Sequence, residues 1–180
     1  LLPVSFLVMI IAVFFNQEIM QVLNPDLPGT KGWVFMWLMA AFPAFSISNI
    51  YSTLLTANGN LKLMTRIALI GAVMNIGMNI VLIPRYHALG APFSPCTTES
   101  IIALGFLFFA KKELTLKEDL KWVFSFCYYL LLLTFIGFVI TKLPIVWFFQ
   151  LAIVIFAGIA MIFLLRFLEV KEVRKLLRKS

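Results

Sequence analysis

Charge is what this sequence has least of. Asp, Glu, Lys and Arg together make up 13% of its 180 residues, against a 62% share of hydrophobic residues and a mean hydropathy of +1.02. A soluble domain of this size carries about a quarter charged residues, because the surface around its core must be polar. Reactive side chains are scarce as well. There is one histidine, His87, and there are two cysteines, Cys96 and Cys127, both inside apolar stretches. That excludes a disulfide framework and a zinc site, which need more ligands at tighter spacing, and it leaves the cysteines as packing residues. No HExxH, CxxC or phosphate-loop pattern occurs. Acids are sparse between the apolar runs, and no Ser, His and Asp arrangement suggests a nucleophile with its base. The sequence is therefore expected not to be an enzyme and to need no cofactor or metal. A charged n-region is also absent, so no signal peptide is read at the start. The chain opens at Leu1 inside an apolar run, and it is expected to be part of a longer protein.

Long apolar runs are what the sequence has in plenty. A helix that crosses the hydrocarbon needs about 20 apolar residues, and six such segments can be read. They are Leu1–Leu23, Trp33–Ala57, Ile67–Pro84, Leu89–Ala110, Trp122–Thr141 and Leu143–Leu165. Turn signals separate them at Asn24–Gly29 and Asn58–Asn60. Pro43 is a candidate kink in the second span, of the kind that membrane helices tolerate. Runs of this length, apolar on every face, exclude a β-barrel, whose strands alternate over about 10 residues. The expected fold is all-α, a polytopic bundle of about six spans. Residues 1–112 hold four spans. Residues 113–168 hold a surface helix, begun by a Thr115-Leu-Lys-Glu118 capping box, and a terminal pair of spans. Residues 169–180 form a basic tail, and the apolar residues Leu168, Val173, Leu176 and Leu177 give the end of the chain an interfacial pattern.

Basic residues fix the expected orientation. Lys62, Arg66, Lys111, Lys112, Lys117, Lys121 and the six Lys and Arg of the tail fall on one side of the membrane, and only Lys31, Arg85 and Lys142 on the other. Cytoplasmic loops carry the excess of Lys and Arg, so both ends of the chain are expected in the cytoplasm. The net charge of +7 is then a topology anchor on anionic lipid and not a nucleic-acid site.

The polar residues inside the spans are the candidates for function. Asn75 and Asn79 sit at i and i+4, on one face of the third span, and Gly71 extends that face. They either tie helices together or line a polar cavity. Glu99 lies inside the fourth span at about the depth of Asn75. A carboxyl in hydrocarbon is costly and normally faces a bundle interior or water. It is either a structural hydrogen-bonding group or a site of proton or cation coupling. Asn49 belongs to a polar stretch of the second span with Ser46, Ser48, Tyr51, Ser52 and Thr53, whose hydroxyls can bond back to their own helix. Arg66, at the cytoplasmic start of the third span, is a positive-inside anchor or a phosphate ligand.

Three ordered segments carry a family resemblance. Tyr51-Ser-Thr-Leu-Leu-Thr-Ala-Asn-Gly59 is followed by Asn75-Ile-Gly-Met-Asn79-Ile-Val-Leu-Ile-Pro84-Arg-Tyr86 and then by Gly90-Ala91. This set resembles the MOP flippase superfamily, and within it the polysaccharide-export branch with the Wzx-type O-antigen flippases. It departs from that pattern at His87, where glycine is usual, and at Pro92, where a second alanine is usual; Pro92 and Pro95 are expected to bend the start of the fourth span. The resemblance implies a two-lobed transporter that moves a lipid-linked oligosaccharide between leaflets of the cell membrane by alternating access. Asn49, Arg66, Asn75, Asn79 and Glu99 would be substrate-path candidates. The implied partners are membrane lipids, the lipid-linked oligosaccharide and an N-terminal lobe of the same protein preceding Leu1. The alternatives are a MATE-like cation-coupled multidrug exporter and a non-transporting membrane scaffold subunit. In the scaffold, Asn75, Asn79 and Glu99 would point to separate helix contacts.

The charge pattern sets a test of topology. In a background lacking Cys96 and Cys127, a cysteine at His87 should react with a membrane-impermeant maleimide in intact cells. A cysteine at Asn60 should react only after permeabilisation, and the reverse pattern would invert the assigned orientation.

Overall fold

The computed structural model describes residues 1–24, 31–87, 90–114 and 120–165. Among them are six α-helices and no strand: α1 (Leu2–Leu23), α2 (Lys31–Ala57), α3 (Leu61–Tyr86), α4 (Gly90–Leu114), α5 (Leu120–Thr141) and α6 (Trp147–Leu164). All six are long and apolar enough to cross a membrane, which makes this a multi-pass membrane protein. The capping box at Thr115–Glu118 and the basic tail lie outside the described residues. The chain forms two compact units, residues 1–118 with α1–α4 and residues 119–180 with α5 and α6.

In the first unit, α2 packs against α1 on one side and α4 on the other. α3 packs against α4 and touches α2 only sparingly. The tight pair α3 and α4 is an antiparallel seam whose register is set by small residues. Gly90 begins α4 so close to the end of α3 that a Cβ there would lie 2.5 Å from the Leu82 carbonyl oxygen. Further along, the side chain of Ile102 occupies the space that a Cβ on Gly71 would need, and Gly105 faces Ile67. Gly71 thus provides the close approach of helices that its place on the Asn75 face suggested. Toward the α2–α3 turn, Leu55, Ile67, Phe106 and Ala110 form a buried apolar cluster, with Tyr51, Met64 and Phe109 packed on it. That cluster joins α2, α3 and α4 at the end where Lys62 and Arg66 lie.

Several details differ from the sequence reading. α1 has a break at Phe15 (φ −121°, ψ 22°), although no proline or glycine lies nearby. Asn16 supplies the cause: its side-chain amide donates to the Val13 carbonyl at 3.0 Å, a side-chain intrusion into the helical ladder of the kind that kinks helices. Phe15 is itself buried. Pro43, the expected kink, lies inside an uninterrupted α2, and α4 runs as one helix through Pro95. α3 starts at Leu61, before the expected Ile67, because Lys62 and Arg66 can extend a helix beyond the hydrocarbon at no cost to its backbone bonds.

In the second unit α5 and α6 pair as a hairpin. α6 begins at Trp147 and not at Leu143 as read from hydropathy. Residues 142–146 instead form the turn, in which the Ile145 amide donates to the Leu143 carbonyl at 2.8 Å and the Gln150 side chain donates to that same oxygen at 2.9 Å. Pro144 has no amide hydrogen for a helix, so apolar character alone overstated the span.

The glycines offer a contrast in packing. Gly90→Ala should destabilise the detergent-solubilised protein by about 1–3 kcal/mol, because the new methyl meets backbone that cannot rotate away. Gly77→Ala, with nothing within 4 Å of its Cβ position, should be neutral or stabilising by up to about 1 kcal/mol. Thermal unfolding of the two variants checks the ranking, and equal losses would refute this account of the seam.

Candidate functional site

Because α2 and α3 both lean on α4 but hardly touch each other, a groove runs between them with α4 as its floor. Its volume is about 550 Å³. Ser48, Asn49 and Ser52 line it from α2, Gly71 and Asn75 from α3, and Thr98 and Glu99 from α4. Apolar walls come from residues such as Phe45, Met64, Ile76, Ile102 and Phe106. Three of the five candidates, Asn49, Asn75 and Glu99, are therefore neighbours of one cavity.

The seam beside the groove is hydrogen-bonded in series. Asn79 Nδ2 donates to Asn75 Oδ1 at 2.8 Å, and Asn75 Nδ2 donates to Thr98 Oγ1 at 3.0 Å. Thr98 in turn donates to the Ser94 carbonyl at 2.9 Å, while Ser94 Oγ reaches across to the Asn75 carbonyl at 3.1 Å. Ser94 and Thr98 are 0% and 2% exposed, so the α4 side of these bonds is shielded, while Asn75 and Asn79 are half-buried. Asn75 ties α3 to α4 through its side chain and its carbonyl and also presents its flank to the groove, whereas Asn79 bonds only within α3, to Asn75. Asn79 reaches the groove only through Asn75, and its Oδ1 is buried without a partner.

Glu99 does not bond to Asn75. On α2, Ser48 lies close enough for its hydroxyl and the Glu99 carboxyl to interact, yet Ser48 Oγ makes no hydrogen bond of good geometry, and Ser48 is 7% exposed. The hydroxyls of Ser52, Thr53 and Thr56, further along α2, are spent on their own helix. Ser52 and Thr53 donate to the Asn49 carbonyl at 3.2 and 2.7 Å, and Thr56 to that of Ser52 at 2.8 Å. The Asn49 amide likewise donates to the Phe45 carbonyl at 3.0 Å. No Lys or Arg among the described residues pairs with Glu99.

Arg66 stands apart. With Lys62, Asn60 and Gly59 it lines a separate hollow of about 510 Å³ at the α2–α3 turn, and both basic side chains are exposed. At the other end of α3, Trp37, Leu82, Tyr86, Gly90 and Phe93 enclose an aromatic pocket of about 310 Å³, with the Trp37 and Phe93 rings edge to face at 5.2 Å. Aromatic residues at this level fit an interfacial belt. No group of three or more His, Cys, Asp or Glu side chains among the described residues could hold a metal.

Ser94 and Thr98 are the site residues that the sequence reading passed over. Their signal was present: they repeat on α4 the i, i+4 spacing of Asn75 and Asn79 on α3. No protein-family model matches the chain, and neither the curated proteins nor the solved structures contain a significant match.

The seam gives a measurable coupling. Asn75→Ala and Thr98→Val should each lower stability, and the double variant should lose less than the sum, with a coupling of about 0.6 kcal/mol, the average between membrane helices, and at most about 1.7 kcal/mol. Strict additivity would show that the Asn75–Thr98 bond contributes nothing.

Proposed function

We propose that this chain is the C-terminal part of an exporter of the cell membrane that moves lipid-linked oligosaccharide across the bilayer for polysaccharide biosynthesis, such as that of O-antigen or capsule. The observation that carries the proposal is the groove. A sugar headgroup crossing the hydrocarbon needs a path with polar groups at mid-depth, whereas the lipid tail can stay in the bilayer. The α2–α3–α4 groove offers Asn49, Ser48, Asn75 and Glu99 at that level, flanked by lipid-compatible surface such as Leu69, Ile70, Val73 and Ile80, all exposed. The ordered motifs at residues 51–59, 75–86 and 90–91 point the same way by resemblance. A scaffold subunit would have no need to gather Asn49, Asn75 and Glu99 at one cavity. The groove is open, and we place a second lobe of the same transporter across it to complete the pathway. The substrate and the surrounding lipid are the remaining partners.

The test is export in a strain whose own exporter has been deleted. Asn75→Ala combined with Glu99→Gln should abolish surface polysaccharide while the protein still appears in the membrane fraction at the normal level. Wild-type export by the double variant would remove both residues from the mechanism and leave the seam as a purely structural tie.

A further inference from the structure

The ends of α2, α3 and α4 opposite Lys62 and Arg66 hold a second cavity, which shares no residue with the groove. Its volume is about 310 Å³, and its walls are Trp37 of α2, Leu82 and Tyr86 of α3, and Gly90 and Phe93 of α4. An interfacial belt accounts for the depth of the three aromatic residues but not for their gathering round one hollow. Helical spacing does that. Leu82 and Tyr86 stand at i and i+4 on α3, Gly90 and Phe93 at i and i+3 on α4, and the close approach at Gly90 brings the two faces together. The Trp37 and Phe93 rings meet edge to face at 5.2 Å, an arrangement that occupies one face of one ring only. The polar tips are unused as well. Among the described residues neither the Trp37 indole N–H nor the Tyr86 hydroxyl makes a hydrogen bond, and Tyr86 is 60% exposed.

We propose that this pocket binds an uncharged sugar ring, with its C–H face against the aromatic rings and its hydroxyls on the Trp37 N–H and the Tyr86 hydroxyl. A pyranose is apolar on its faces and polar round its rim, so it matches both surfaces the pocket offers. The walls also rule out other ligands. No Asp, Glu, Lys, Arg or His among the described residues lines the pocket, so a charged group would lose its water with no opposite charge in return. A quaternary ammonium can face aromatic rings without an acid. Here, however, Tyr86 is flanked by Arg85 and His87, both exposed, and Arg85 repels a cation. A hydrocarbon chain would leave both polar tips unanswered, and it gains little by leaving a bilayer as apolar as the pocket wall. The volume lies at the small end of the range for ligand pockets, about 300–1,000 Å³, and suits one ring better than a chain of them. Tyr86 is about 16 Å along α3 from Asn75 at the helical rise, so this site is separate from the groove. The sugar assignment rests on the pocket's own chemistry; that the sugar is carried by an exported lipid rests on the exporter reading.

Binding is measured without transport. The protein is placed in nanodiscs of phosphatidylethanolamine and phosphatidylglycerol, which carry neither sugar nor choline. Saturation-transfer NMR is recorded with the methyl glycosides of glucose, galactose and N-acetylglucosamine, and with choline and methyl glucuronide as charged probes. The wild type should saturate the ring C–H protons of at least one neutral glycoside. Trp37→Leu, which removes a stacking face, should weaken that binding about tenfold. Tyr86→Phe keeps the ring and removes the hydroxyl, and it should weaken binding about threefold to tenfold. That hydroxyl bonds to nothing described, so Tyr86→Phe should fold even where Trp37→Leu does not. Trp33→Leu, on the same helix as Trp37 but outside the pocket lining, should bind as the wild type does. The assignment would be overturned by no saturation of any neutral glycoside, by unchanged affinity in both pocket variants, or by an equal loss in Trp33→Leu. Tighter binding of choline or methyl glucuronide than of the neutral glycosides would overturn it too. The export assay judges the exporter reading separately: glycoside binding by a protein that fails to restore export would reject the exporter and leave the sugar site standing.

Discussion

The hydrocarbon core of a bilayer offers no hydrogen-bonding partner, so each polar group at that depth must find one within the protein. That constraint explains the arrangement of almost every hydroxyl in the spans. Ser52, Thr53, Thr56, Thr65, Thr97, Ser100 and Thr134 all donate to a carbonyl three or four residues back in their own helix. Such bonds cost no packing and demand no neighbour. They make a helix with many Ser and Thr residues as compatible with lipid as one with few. The groups that depart from this habit are therefore the informative ones. Asn75, Asn79 and Ser94 bond across or along the α3–α4 seam, with Thr98 accepting from Asn75 while it donates to its own helix, and Ser48 and Glu99 face the groove.

The seam and the groove depend on one another. Gly71 and Gly90 let α3 approach α4 closely, and at that separation the Asn75 amide reaches Thr98. Binding α3 so firmly to α4 leaves it little surface for α2, which packs on α4 by a different face. The space between α2 and α3 follows from those two preferences. Toward Lys62 and Arg66 the apolar cluster around Leu55, Ile67 and Phe106 fills it; beyond that cluster the lining turns polar. The same helices thus make a dry join at one end and a wet-compatible cleft in the middle, decided by whether large apolar or polar residues occupy facing positions.

Much of this was legible in the sequence because hydropathy acts one segment at a time. Six spans and their order require only about 20 apolar residues each, with turn residues between. Asn75 and Asn79 on one face, the close approach at Gly71 and the similar depth of Glu99 follow from helical spacing alone. The kink at Phe15 was not legible, because it depends on how one asparagine rotamer meets the backbone and not on a helix-breaking residue. The start of α6 was misplaced because Leu143, Ile145 and Val146 are as apolar in a turn as in a helix. The groove itself required knowing which helices are neighbours. Nothing in the spacing of Ser48 tells it that Glu99, half the chain's first unit away, lies opposite.

Glu99 is a costly residue at its place in the span. A carboxylate at a span's centre costs about 2.5–3.5 kcal/mol on insertion scales, and one hydroxyl beside it recovers little, since interhelical hydrogen bonds average about 0.6 kcal/mol. A purely structural role could be filled by glutamine, which has nearly the same shape and the same acceptor oxygen but no charge. Folding alone would therefore favour glutamine here. The groove has no basic residue to balance the acid, and Ser48 is left with an unused oxygen next to it.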